Sequence, residues 1–160
     1  MAYLIDGNNL IGHTPNLELN NRESRYRLIL RLFRFQRLKK SKVTIVFDGQ
    51  PDANLAQLNF SRKKFNIIFS DITFSADSKI KEIISAKKYL KDLHVVSSDR
   101  ELTNFVKSKG ARVIKCSEFN KQIKKLFKEE NERRKDWKEE KDLSPLEVKH
   151  WLEIFKQKDD

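Results

Sequence analysis

Apolar and polar positions along the chain sort into short continuous runs and longer periodic stretches. Four of the runs end in an aspartate: AYLID at 2–6, VTIVFD at 43–48, NIIFSDITFSAD at 66–77 and LHVVSSD at 93–99. Short apolar runs rich in β-branched residues and closed by turn residues predict buried strands. The third strand is expected over 66–74 and a fifth over ARVIKC at 111–116. Gly7, Asn8 and Asn9 break the first run, which predicts a turn there. Between the runs the period changes to that of a helix. In 22–40, Leu28, Leu32 and Phe35 share a face with Ile29 and Phe33 beside it, while Arg27, Arg31 and Arg34 fall on the other side. Ser75 predicts the N-cap of a helix carrying Ile80, Ile83, Ile84 and Leu90, and Gly110 closes a short helix that starts near Asp99.

Strands alternating with helices imply βαβ units, a parallel sheet and right-handed crossovers that put helices on both faces. The fold class is therefore α/β. In such a sheet the carboxyl ends of the strands form one edge, where ligands bind. Asp6, Asp48, Asp77 and Asp99 would converge on that edge. Crowded carboxylates repel unless a cation neutralises them, and oxygen ligands suit Mg²⁺ or Mn²⁺. One such aspartate is explained by a turn or a helix cap. Four in successive βα units predict a metal site. Asp52 and Asp71 do not fit that register. Asn8 and Asn9 add amides able to reach a phosphate or steady a carboxylate, and Ser97 and Ser98 add hydroxyls before Asp99.

Composition changes this picture in one respect. The 160 residues carry 34 Lys+Arg against 23 Asp+Glu, a net charge of +11. Residues 22–42 alone hold nine bases and one acid. Such a surplus favours a polyanionic partner, either nucleic acid or an anionic membrane surface. An acidic metal pocket in a basic protein points to a nuclease. Other chemistries lack support. His13, His94 and His150 show no metal spacing, the single Cys116 excludes a disulfide framework, and no glycine-rich phosphate loop is present among four glycines, so no nucleotide cofactor is expected. No run reaches bilayer length and no signal peptide is evident at the start, so a cytoplasmic protein is expected.

Beyond residue 120 the texture shifts. Residues 121–141 carry nine bases and six acids with few apolar positions, which predicts a solvated helix or a linker. A second helix start follows, with Ser144 as N-cap, Pro145 and Glu147 behind it, and Leu146, Trp151, Leu152 and Phe155 on one face. The expected organisation is a catalytic domain over 1–120 and a charged helical extension over 121–160.

YLIDGNNLIG at 3–12, VFDG at 46–49, SADSKIKEII at 75–84 and VVSSDREL at 95–102 together resemble the NYN domain, a branch of the PIN-like nucleases, and within it the bacterial YacP-like group. The resemblance covers about residues 2–120. It implies a three-layer sandwich with a parallel sheet of order 3-2-1-4-5, and divalent-metal-dependent endonucleolytic cleavage of single-stranded RNA. Some relatives act on mRNA at the ribosome, which makes RNA decay the implied setting and RNA, and a ribosome, the implied partners. The four aspartates match the family's acidic positions, Asn8 or Asn9 its amide and Ser98 its hydroxyl. Many relatives have an aromatic residue where Asn8 stands. Asp6 and Asp99 would lie nearest the metal, since the implied order makes their strands neighbours. Arg27, Arg31 and Arg34, with Lys39, Lys40 and Lys42, are candidates to follow an RNA backbone. The rival readings are a non-catalytic RNA- or ribosome-binding module of the same fold, a phosphotransfer receiver and a toxin-type PIN ribonuclease. Gly-Asn-Asn after the first strand argues against a receiver, which wants an acidic pair there.

Overall fold

The five residues Ala2–Asp6 form strand β1 at the centre of the sheet, and its alternation decides the architecture. Tyr3 and Ile5 point to one face and Leu4 to the other, and all three are buried, so both faces of the sheet must be covered. The computed structural model describes residues 1–51 and 62–137. After β1 come α1 (Gly7–Gly12), α2 (Arg22–Lys39), β2 (Lys42–Phe47), β3 (Phe65–Phe69), α3 (Ala76–Ala86), β4 (Leu93–Val96), α4 (Arg100–Ser108), β5 (Arg112–Ile114) and α5 (Cys116–Trp137). The sheet is parallel throughout with order β3-β2-β1-β4-β5, as the resemblance implies. The order reverses beside β1, which places the switch point between β1 and β4.

One face is covered by α1, α2 and α5, the other by α3 and α4. On the first, Leu28, Ile29, Leu32 and Phe35 of α2 meet Tyr3, Val43, Ile45 and Phe47, with Phe119 and Ile123 of α5 alongside. Edge-to-face contacts of 5.1 Å join Phe35 to both Tyr3 and Phe119, so strand, α2 and α5 interlock through three rings. On the second face Ile80 and Ile84 of α3 and Leu102 and Val106 of α4 pack on Leu4, Val46 and Val95.

Three elements depart from the expectations above. The predicted turn at 7–9 is the start of α1: Asp6 caps it, and burial of Leu10 and Ile11 outweighs the weak helix propensity of Gly and Asn. β3 stops at Phe69 instead of 74, because Ser70 turns the chain, accepting from the Gly49 N–H at 3.0 Å and donating to the Phe74 carbonyl at 2.7 Å. Helix α5 runs through residue 120 unbroken. The stretch from 121 is helical as far as Trp137 and most of its side chains up to residue 135 are exposed, as a solvated helix requires, but Phe119 and Ile123 lie in the core and Glu130 is buried, so it is anchored to the domain and is not a linker. The second predicted helix at 143–155 lies outside the described residues, as does Asp52. Among the described residues no helix is long and apolar enough to cross a membrane.

Candidate active site at the carboxyl edge of the sheet

Asp6 is the last residue of β1 and caps α1, its Oδ1 accepting from the Asn9 N–H at 3.4 Å. The chain can turn there because Gly7 lies against β2: a Cβ at this position would sit 2.5 Å from the Phe47 ring. Asp6 is buried, 7% exposed. Burial drives its carboxyl pKa from 3.8 to about 6; the Asn9 N–H and the Ser97 hydroxyl oppose the rise, while the negative charges of Asp48 and Asp77 add to it. Asp6, Asp48 and Asp77 thus share one electrostatic neighbourhood.

Asp48 stands just beyond β2 and is exposed, its Oδ1 accepting from the Ala76 N–H at 2.6 Å. That bond ties the end of β2 to the start of α3. Asp77 does not end a strand, contrary to the reading of its run. It lies in the first turn of α3, where Ser75 is the N-cap. One of its oxygens pairs with Lys81 Nζ at 3.0 Å, and the other, Oδ1, is buried without a hydrogen-bond partner. Asp99 caps α4, accepting from the Leu102 N–H at 2.8 Å. Its link to Asp6 runs through Ser97, whose hydroxyl donates to Asp6 Oδ2 at 3.4 Å and accepts from the Asp99 N–H at 3.1 Å.

The two asparagines act as braces. Asn8 Oδ1 accepts from the Asp48 N–H at 3.0 Å, joining α1 to the end of β2. Asn9 Oδ1 accepts from the Ser98 N–H at 2.7 Å and from the Cys116 thiol at 3.2 Å, joining α1 to the ends of β4 and β5. Ser98 Oγ in turn accepts from the Cys116 N–H at 3.0 Å. Cys116 is buried, and burial pushes its thiol pKa up, which suits packing and not nucleophilic attack. His94 stacks on Tyr3 within the sheet, away from the carboxylates.

The arginines of α2 lie elsewhere. Arg34 is bound to the buried Glu130 of α5 and lies 4.0 Å over the Phe127 ring; Arg31 is half-buried over the same ring; Arg27 is exposed and paired with Glu23. These three are not gathered with the aspartates. Two cations closer to the edge went unremarked in the sequence. Lys81 bridges Asp77 and, at 2.9 Å, Glu101 of α4, and these hydrogen bonds raise its ammonium pKa. Its position four residues after Asp77 was a usable signal. Arg25 donates to the Asp48 carbonyl at 2.9 Å while lying over Phe47 and Phe69, and nothing in its spacing announced that.

Among the described residues no three carboxylate, imidazole or thiol groups converge closely enough to cage a bare ion. The donor chemistry still fits a hydrated Mg²⁺ or Mn²⁺. Mg²⁺ keeps most of its waters and takes one or two carboxylates, and the edge offers a buried Asp6 beside the unpartnered Oδ1 of Asp77.

Residues 3–156 match the family model described as the YacP-like NYN domain. No curated protein matches the chain. Two crystal structures of Rae1 (YacP) from Bacillus subtilis share the fold. One, of a tryptophan-to-leucine mutant, is 23% identical with a TM-score of 0.72, over 96% of this chain and 91% of the other. The second is 23% identical with a TM-score of 0.73, over 85% and 80%.

Proposed function

Since the chain belongs to the YacP-like NYN domain family, we propose that it is a metal-dependent endoribonuclease that cleaves single-stranded RNA at the carboxyl edge of its sheet. The observation that carries this reading is the buried Asp6, whose ionisation is opposed by burial and by the charges of Asp48 and Asp77. A protein that only bound polyanions would gain nothing from that arrangement. Asp6, Asp48 and Asp77 would hold Mg²⁺ or Mn²⁺, directly or through its waters, with Asp99 completing the shell. The ion, when bound, supplies an activated water and stabilises charge on the leaving oxygen.

The chain's own residues do the rest. Asn8 and Asn9 lock the ends of β1, β2, β4 and β5 together, so the carboxylates keep their spacing as RNA arrives. Ser97 holds Asp6 from one side. Lys81 keeps Asp77 Oδ2 occupied and leaves Oδ1 as the free donor. The net charge of +11 draws RNA to the surface, and no side chain has to act as nucleophile.

A second reading, a non-catalytic RNA- or ribosome-binding module, draws support from the separate anchors of Asp48, Asp77 and Asp99 and from the lack of a ready three-carboxylate cage among the described residues. Labelled single-stranded RNA incubated with Mn²⁺ or Mg²⁺ separates the two. Cleavage that is lost with EDTA and in Asp99→Asn supports the nuclease. RNA binding without cleavage, both free and with translating ribosomes, would replace it with the module.

A further inference from the structure

A cavity of about 300 Å³ opens beside Asp48, between α1, the segment entering α2 and the turn after β2. That volume lies at the lower end of the range for small-molecule sites and leaves room for one nucleobase. Ile11 and Leu19 supply apolar wall, and Leu19 is 60% exposed, so its side chain is open to a ligand. The remaining wall is rich in amides: Asn8, Asn20, Asn21 and Gln50.

The polar groups of this wall are of both kinds: the Asp48 carboxylate and Gln50, whose amide donates to Asp71 Oδ1 at 3.5 Å, leave acceptors, while two asparagines leave donors. Asn8 Oδ1 already accepts from the Asp48 N–H, and Asn21 Oδ1 accepts from the Glu23 N–H at 2.9 Å as the cap of α2. With their oxygens committed, each has an NH₂ group left, a two-proton donor. Arg25, also in the wall, is held by the Asp48 and Gln50 carbonyls, and the Asp48 carboxylate disfavours an anion inside. Donors, apolar wall and a repelled anion together select a neutral, flat, acceptor-bearing group. Unstacked bases of single-stranded RNA are recognised in this way, by contact with the ring face and hydrogen bonds to its edge.

Building on the nuclease reading, we propose that this cavity receives one nucleobase of single-stranded RNA, a base presenting a carbonyl oxygen (uracil, guanine or cytosine, not adenine). Because Asp48 belongs both to the cavity and to the carboxylate edge, the bound base neighbours the phosphodiester to be cut. The cavity thus supplies a base preference next to the cleavage position.

The test is tetranucleotide binding in EDTA, read by fluorescence anisotropy. The probes are the uridine, cytidine and adenosine tetranucleotides and an adenosine tetranucleotide carrying one guanosine. The wild type is expected to bind at least one of the uridine, cytidine and guanosine-bearing probes at least ~10-fold more tightly than the adenosine one, the size of discrimination a good pair of base-edge hydrogen bonds gives. Asn21→Ser keeps an N-cap while removing the amide donor, and is expected to bring that ratio within ~2-fold. Leu19→Ala, at an exposed position, should weaken all four probes. Equal or unmeasurable affinities in the wild type, or an unchanged ratio in Asn21→Ser, overturn the proposal. Cleavage in Mg²⁺, of free RNA and with translating ribosomes, is assayed in parallel: discrimination without cleavage in either keeps the cavity and removes the nuclease, and cleavage without discrimination does the reverse.

Discussion

At the scale of single residues, Asp6 carries the tension of the site. Its folded pKa of about 6 lies above the ordinary 3.8, so the native state holds its proton more tightly than the unfolded chain. Stability from this group is therefore full below about pH 4 and is lost as pH rises towards 6. Asp6→Asn should raise stability at pH 7 by up to about 3 kcal/mol, with the gain vanishing near pH 4. Urea unfolding at the two pH values checks this; a loss of stability at pH 7 would contradict it. The same sign makes cation binding pH-dependent. Mg²⁺ should raise the melting temperature at pH 7.5 and do little at pH 5, and equal shifts at both would show that Asp6 is not a ligand. Gly7 carries a different constraint. Gly7→Ala would drive a methyl group into the Phe47 ring and should cost about 2–3 kcal/mol, measurable by the same unfolding.

At the scale of elements, the strands were legible because buried parallel strands are short apolar runs with sharp ends, and their order followed from the family motifs. The positions of Asp6, Asp48 and Asp99 at those ends were legible for the same reason. Asp77 was misplaced because its run joins a strand, a turn and the first turn of α3, and the apolar Ile72 and Phe74 beyond Ser70-Asp71 make that turn look like a continuing strand. That α5 is a helix was legible, but its anchoring was not, because charge dominates its composition while the few apolar residues that anchor it, Phe119 and Ile123 first, lie at one end. Its far half is held by charge. Glu130 is buried between Arg34 of α2 and Arg134, the latter at 2.8 Å, with Phe127 under Arg34. Glu130→Ala should cost about 3 kcal/mol, because it strands guanidinium groups rather than merely deleting a contact. A cost below about 0.5 kcal/mol in thermal unfolding would mean the pair behaves as a surface bridge. This clasp also explains why Arg31 and Arg34, read from sequence as an open cationic face, lie against a neighbouring helix.

For the whole molecule, the proposed function divides the work between the basic charge, which would gather RNA, and the acidic edge, which would act on it. With about four phosphate contacts, affinity for single-stranded RNA should fall roughly 50-fold between about 50 and 200 mM salt. A salt-independent affinity would remove electrostatics from the account. The contrast between a surface of net +11 and a site of carboxylates could be read from the sequence, since both depend on residue type and order. The braces formed by Asn8 and Asn9 could not, since they depend on which strand ends become neighbours. The most direct test of the central claim is the cleavage rate of end-labelled single-stranded RNA by Asp6→Asn in Mg²⁺ at pH 7.5, on protein whose melting temperature is measured alongside. The account predicts a rate lower by at least ~10³-fold with a melting temperature equal to or above that of the wild type. Cleavage within a few-fold of the wild type, from folded protein, would contradict it.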